Sequence, residues 1–172
     1  TTSNSNRPSS SFDRPADIAP TTQLGLDTRM PWFDTLATLP TRSEAETAQD
    51  AGLGFAYHNH DFEFGELDLW GRIVDAGLDL EPDVGWLRVA GRDPAAELRG
   101  LAGRCPLVHA KDVRRTAGGW EDVPAGDGEL DWPAIAAAAR AAGTATLVIE
   151  LDTPSAEPLA DISRSLATLR AV

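Results

Sequence analysis

Four short apolar runs recur along this chain, and each is followed by a segment with helical spacing. The runs are Leu53 to His58, Leu78 to Val84, Leu107 to Ala110 and Thr146 to Leu151. After the first, Glu66 to Ala76 places Leu67, Trp70, Ile73 and Val74 on one side and stops at Gly77. After the second, Asp93 caps a helix with Pro94 in its first turn, running to about Ala102. After the third, Asp131 caps another, with Pro133 in the first turn and Gly143 at the stop. Ala156 to Leu169 reads as a closing helix. A further short helix, Ser43 to Ala51, precedes the series, with Ser43 as cap, Glu46 three residues on and Gly52 at the end. Residues 114–129 hold Gly118, Gly119, Gly126 and Gly128 and are expected to form a long loop. Strands alternating with helices specify an α/β fold with a parallel sheet.

The ends of the four runs carry the chemistry. His58, Asp83, His109 and Glu150 each fall near the C-terminal end of their strand, 25, 26 and 41 residues apart. A βα unit takes roughly 30 residues, so each gap is one repeat, the last widened by the glycine-rich segment. The C-terminal strand edge is where parallel α/β sheets bind ligands. The first run ends by gathering His58, Asn59, His60, Asp61 and Glu63. The chain has three histidines, and all lie at such ends. Its one lysine, Lys111, stands two residues after His109.

The remaining composition sets bounds. The 172 residues make one domain's worth of chain, with 42% apolar residues. Residues 1–28 are rich in Ser, Thr, Pro and Asn without hydrophobic period and read as a flexible tail, leaving 29–172 as the folded domain. Met30 to Asp34 either docks its aromatics on that domain or is linker. A formal charge of −12 disfavours nucleic acid and anionic membrane as partners. No run approaches the roughly 18 apolar residues of a membrane span, and no signal-peptide core is present, so the default expectation is a cytoplasmic protein. The lone Cys105 has no internal disulfide partner and reads as a core-edge thiol.

Five motifs in order carry a family resemblance: Tyr57-His-Asn-His-Asp-Phe-Glu-Phe64, Asp83-Val-Gly-Trp86, Val108-His-Ala-Lys-Asp112, Gly126-Asp-Gly-Glu-Leu-Asp-Trp132 and Val148-Ile-Glu-Leu-Asp152. Together they resemble the sugar phosphate isomerase/epimerase family of xylose isomerase-like TIM barrels, over about residues 45–172. The resemblance implies a (β/α)₈ barrel of which strands five to eight are recognisable, a divalent metal at its C-terminal mouth, and a small sugar or polyol as substrate. Asp83, His109 and Glu150 match the family's metal ligands on strands six, seven and eight. His58 stands where many members have a strand-five glutamate, as a fourth ligand or as a base. A full barrel takes about 250 residues. The chain is therefore expected to be a fragment, a truncated product, or a half-barrel that pairs, in a homodimer or with a chain supplying the missing half.

Proton abstraction next to a carbonyl is the shared step of isomerases and epimerases. The expected roles follow from the strand-end positions. Glu150 doubles as metal ligand and base. Lys111 is counted with Glu150 and His58 as catalytic, and Lys111 and Asp112 orient substrate oxygens. His60, Glu63 and Trp86 contact substrate. Alternatives stay open: Glu63 as a helix-start carboxylate, Asp83 as a turn residue, Trp86 as a lid on the core, Asp152 as support for Glu150 or a surface turn. Two imidazoles with carboxylates suit Mn²⁺, Zn²⁺, Co²⁺ or Fe²⁺, with Mg²⁺ also allowed. A keto-sugar or inosose dehydratase on the same site, and a non-catalytic half-barrel that only binds sugar, are the rival readings.

Overall fold

The computed structural model describes residues 42–172; the tail expected over 1–28 and the Met30 to Asp34 stretch lie outside them. The first helix, α1 (Arg42–Asp50), starts one residue ahead of the expected Ser43 cap. Strand β1 (Ala56–His58) leads through a 3₁₀ turn (Phe62–Phe64) into α2 (Leu69–Asp75). Strand β2 (Asp79–Glu81) runs into α3 (Val84–Val89) and α4 (Pro94–Gly100). Strand β3 (Leu107–Ala110) is followed by β4 (Asp112–Thr116), β5 (Gly119–Val123) and α5 (Trp132–Ala142). Strand β6 (Thr146–Ile149) and α6 (Pro158–Arg170) close the order. Among the described residues no helix is long and apolar enough to cross a membrane.

The four expected strands are all present and parallel. β1 pairs with β2 in the register Tyr57 to Leu80, and β3 pairs with β6 in the register Val108 to Leu147. The two pairs are joined where the His109 N–H donates to the Pro82 carbonyl at 2.9 Å and Asp83 bridges to His109. The resulting order is β1-β2-β3-β6, with β1 and β6 at the edges among the described residues. This is the α/β arrangement anticipated for strands five to eight of a barrel.

Apolar residues on the inner sides of these elements form the core. Leu80, Val84, Leu87, Leu98 and Val108 are completely enclosed. The helix α5 is almost all alanine on its buried side, with Ala136, Ala138, Ala139 and Ala142 beneath Trp132 and Ile135. Small side chains let it pack closely on α4. Its Asp131 cap accepts from the Ala134 N–H at 3.0 Å, and Gly143 ends it at φ 86°, a left-handed position that glycine takes without steric cost.

Two expectations about the 112–132 region are corrected. First, residues 114–129 are not one long loop: β4 and β5 form an antiparallel hairpin, Asp112 opposite Val123 and Thr116 opposite Gly119. Second, Asp112 does not face a substrate. It is buried, and its carboxylate accepts from the N–H groups of Val113, Gly126, Gly128 and Leu130 and from Trp132 Nε1, at 2.8 to 3.3 Å. The Gly126-Asp-Gly128 segment thus wraps around one carboxylate. A side chain at Gly128 would collide with it, which explains the glycine. Removing an acceptor that satisfies this many donors leaves buried N–H groups bare. Asp112→Ala is expected to lower the unfolding free energy by about 3 kcal/mol in urea titration. A loss below about 0.5 kcal/mol, the level of an ordinary surface change, would contradict this anchoring role.

Candidate metal centre

Strand alternation and one capping aspartate assemble the site. Asp83 lies two residues past the end of β2 and caps α3, its Oδ1 accepting from the Trp86 N–H at 2.8 Å. Its own N–H donates to Asn59 Oδ1 at 3.0 Å, which ties the end of β1 to the end of β2. Asn59 also donates to the His60 carbonyl, so this fully buried amide serves backbone. With Oδ1 committed, Asp83 Oδ2 is left buried with no hydrogen-bond partner. His58 Nδ1 is likewise buried without one.

These two bare atoms belong to one cluster. His58, Asp83, His109 and Glu150 each present a ligand atom, and the four atoms lie within 4.8 Å of one another. The rings of His58 and His109 are 4.3 Å apart between centroids. His109 Nδ1 meets Glu150 Oε2 directly. The four residues come from the ends of the four parallel strands, as the sequence spacing indicated. Two imidazole nitrogens and two carboxylates at this separation fit a divalent transition metal, whose bonds to such donors are about 2.0–2.2 Å. Asp83 Oδ2 has the Lys111 ammonium 3.8 Å away, beyond hydrogen-bond reach, and His58 Nδ1 has no hydrogen-bond partner, so both atoms are open to a metal bond.

The surroundings set the protonation of the cluster. Burial, aided by the neighbouring His109, His60 and Lys111, pulls the His58 imidazole down to about 4. It is neutral at physiological pH and offers a lone pair. Burial pushes Asp83 up to about 7, against the Trp86 N–H and the Lys111 charge that favour the carboxylate. Burial also acts to lower Lys111, but its bond to Asp152 and the charges of Asp83 and Glu150 outweigh that and hold the ammonium above its ordinary range.

Lys111 is enclosed rather than facing a substrate, as had been expected of it. Its ammonium bonds Asp152 Oδ2 at 2.5 Å, lies 3.6 Å from Glu150 and 3.8 Å from Asp83, and sits 4.9 Å over the Trp86 ring. Its stem crosses Gly85, where a Cβ would stand 2.6 Å from Lys111 Cγ. Asp152 therefore supports the site through Lys111 rather than standing as a bare surface turn. Its backbone N–H donates to Asp122 on β5 at 2.8 Å, joining the hairpin to the end of β6.

Of the expected substrate contacts, His60 and Trp86 stand beside the cluster. The His60 ring packs edge-on to His58 at 5.0 Å, stacks on Phe62 at 5.8 Å and lies 5.5 Å from Trp86. Glu63 does not join them. It is fully buried, with Oε1 accepting from the Tyr57 hydroxyl at 2.7 Å and Oε2 from the His60 N–H at 2.9 Å. Burial raises its carboxyl pKa, and these donors work against the rise. Its part is to hold the turn that carries His60. Glu81 was overlooked by the sequence reading: its Oε1 lies 2.8 Å from His109 Nε2. The signal was available, because Glu81 is two residues before Asp83 and so on the same face of β2.

The chain matches the xylose isomerase-like TIM barrel profile over residues 35–172. It belongs to that family. A sugar phosphate isomerase/epimerase from Parabacteroides distasonis ATCC 8503 is 26% identical with a TM-score of 0.60, over 75% of this chain and 49% of that one. A xylose isomerase domain protein from Planctomyces limnophilus is 20% identical with a TM-score of 0.62, over 85% and 55%. A further Parabacteroides distasonis sugar phosphate isomerase/epimerase is 19% identical with a TM-score of 0.62, over 76% and 50%. The chain spans about half the length of these solved structures. No protein of curated function matches it.

The Asp83 environment makes metal binding pH-dependent. In the metal-free fold Asp83 holds its proton below about 7, and an ion must displace that proton. Affinity should therefore fall as pH drops, approaching tenfold per unit, and level off above about 8. His58 does not compete until pH nears 4. Co²⁺ titrations from about pH 5.5 to 8.5 check this; an affinity flat through neutrality would show that no buried carboxylate titrates at the site.

Proposed function

We propose that the chain is the metal-binding half of a sugar or polyol isomerase/epimerase that works by removing a proton next to a carbonyl. The observation that carries this reading is the convergence of His58, Asp83, His109 and Glu150 at the ends of four parallel strands, with two buried ligand atoms lacking partners. These residues would hold a divalent ion such as Mn²⁺, Zn²⁺, Co²⁺ or Fe²⁺. When bound, such an ion polarises a substrate carbonyl and neutralises adjacent oxygens.

The chain's own residues do the rest. Glu150 lies at the mouth and is the more exposed of the two cluster carboxylates, so it can meet a substrate C–H. It takes the proton from the carbon next to the carbonyl and returns it to the former carbonyl carbon, while the hydroxyl proton passes between the two substrate oxygens; delivery to the opposite face, as epimerisation needs, would fall to a second group on the strands that complete the barrel. Lys111, at 3.6 Å, holds its carboxylate in place. His58, neutral in its buried setting, is a ligand here rather than the acid that a protonated imidazole would supply. His60 and Trp86 give an aromatic wall suited to the C–H faces of a sugar ring. The excess of acidic residues across the chain favours a neutral polyol or sugar over a polyanion. A second copy, or a chain segment carrying the other strands, pairs with the edges of β1 and β6 to complete the barrel.

The test is hydrogen exchange. The Co²⁺- or Mn²⁺-loaded protein is incubated in D₂O with ketopentoses, ketohexoses, their phosphates and inososes. Deuterium should enter a substrate at the carbon next to the carbonyl, with formation of the isomer or epimer. Glu150→Gln should slow this by about 10²- to 10⁴-fold, and Asp83→Ala should abolish metal uptake. Loss of water from the substrate after the same exchange would reassign the reaction to a dehydratase. No exchange with any substrate, on a chain that does hold metal, would leave a sugar-binding module.

A further inference from the structure

His109 is held from both sides. Its Nδ1 meets Glu150 within the ligand cluster, while its Nε2 lies 2.8 Å from Glu81 Oε1. Glu81 is the last residue of β2, and His109 is on the neighbouring strand β3. Their approach is fixed by backbone. The His109 N–H bonds the Pro82 carbonyl, and Asp83 pairs with His109 in parallel register. Glu81 therefore reaches His109 from the same strand that delivers Asp83 to the cluster. Both side chains are mostly enclosed, each 18% exposed, so water does not readily substitute for the contact.

A neutral imidazole has one N–H and one lone pair, and a carboxylate only accepts. Carboxylates stand at both ring nitrogens, Glu150 at Nδ1 and Glu81 at Nε2; an ion that takes Nδ1 in place of the Glu150 contact leaves the proton on Nε2, where Glu81 accepts it. The lone pair then sits on Nδ1, which points into the cluster. We propose that Glu81 is a positioning residue of the metal centre, fixing the tautomer and ring plane of His109 so that Nδ1 is offered to the ion. This rests on reading the cluster as a metal site, and it adds a residue outside the four ligands. A carboxylate behind a ligating histidine also raises the basicity of the ligating nitrogen.

Two measurements on the full chain test it. The first is the ¹⁵N shift of the His109 ring near neutral pH in Zn²⁺-loaded protein, with metal-free protein alongside. Zn²⁺-loaded wild type should carry its proton on Nε2, and in metal-free protein Glu81→Ala, which leaves Glu150 as the carboxylate on the ring, should shift the proton toward Nδ1. Glu81→Gln can still present its side-chain carbonyl to Nε2–H and should restore the wild-type tautomer. The second is Co²⁺ affinity followed by the visible absorption of the bound ion. Glu81→Ala should weaken it by about 10- to 100-fold, with Glu81→Gln recovering part of the loss. A Zn²⁺-loaded wild type whose His109 carries no Nε2–H overturns the proposal. So does a Glu81→Ala protein that binds Co²⁺ as tightly as wild type with an unchanged His109 ring. Should Glu81→Ala fail to fold by circular dichroism, the wild-type tautomer still decides. If wild type takes up no Co²⁺ at all, the functional reading fails, while the ring shift still reports whether Glu81 sets the His109 tautomer.

Discussion

The site depends on how Asp83 divides its hydrogen-bonding groups. Its N–H is taken by Asn59 and its Oδ1 by the first turn of α3, while its Oδ2 makes no hydrogen bond. The first bond fixes β1 against β2. The second fixes where α3 starts, and with it Trp86. The bridge to His109 fixes β3 against β2. What is left over is one buried oxygen whose direction is determined by all three. An N-cap bond is ordinarily worth about 1 kcal/mol to a helix. Here it also keeps a potential metal ligand from rotating.

Several charges are brought together with little water, and the arrangement limits the electrostatic cost. Lys111 is the single cation enclosed among Asp83, Glu150 and Asp152. One positive charge against three carboxylates leaves the pocket electronegative, the condition in which a divalent cation is favoured. Lysine is a compact charge that can serve several oxygens at once, where a planar arginine fork would favour one carboxylate. The sequence uses arginine for every other cationic side chain, and this is the position where that substitution would not fit the geometry. Carboxylates outside the pocket do different work: Asp112 and Glu63 are wholly occupied by donors of the protein and organise the loop and the turn beneath the mouth.

Much of this was legible in the sequence because the information is local. Apolar runs ending in His58, Asp83, His109 and Glu150 at one-repeat spacing fix which strands exist and which ends carry polar groups. Asp93 and Asp131 with their following prolines mark helix starts that the fold reproduces. The hairpin of β4 and β5 was hidden because Asp112 to Thr116 and Gly119 to Val123 expose polar residues on both strands, and glycines between them read as loop. Asp112, Glu63 and Lys111 were misassigned for one common reason. Whether a charged side chain faces a ligand or the interior depends on partners that lie far along the chain. Asp112 is satisfied by N–H groups up to 20 positions away, and Lys111 by a carboxylate 41 positions away. No spacing rule reveals that.

The close passage of the Lys111 stem over Gly85 has an evolutionary consequence. The two positions are 26 residues apart in sequence, Gly85 in α3 and Lys111 between β3 and β4, yet each limits what the other can be. Any side chain at 85 would occupy the volume through which the lysine reaches Asp152. A shorter residue at 111 would release that volume and remove the reason for glycine. Substitutions at the two positions are therefore coupled: the effect of either depends on the state of the other. Along a lineage, the pair is expected to persist together or to be replaced together, so that their joint identity is a more informative marker of an intact site than either residue alone.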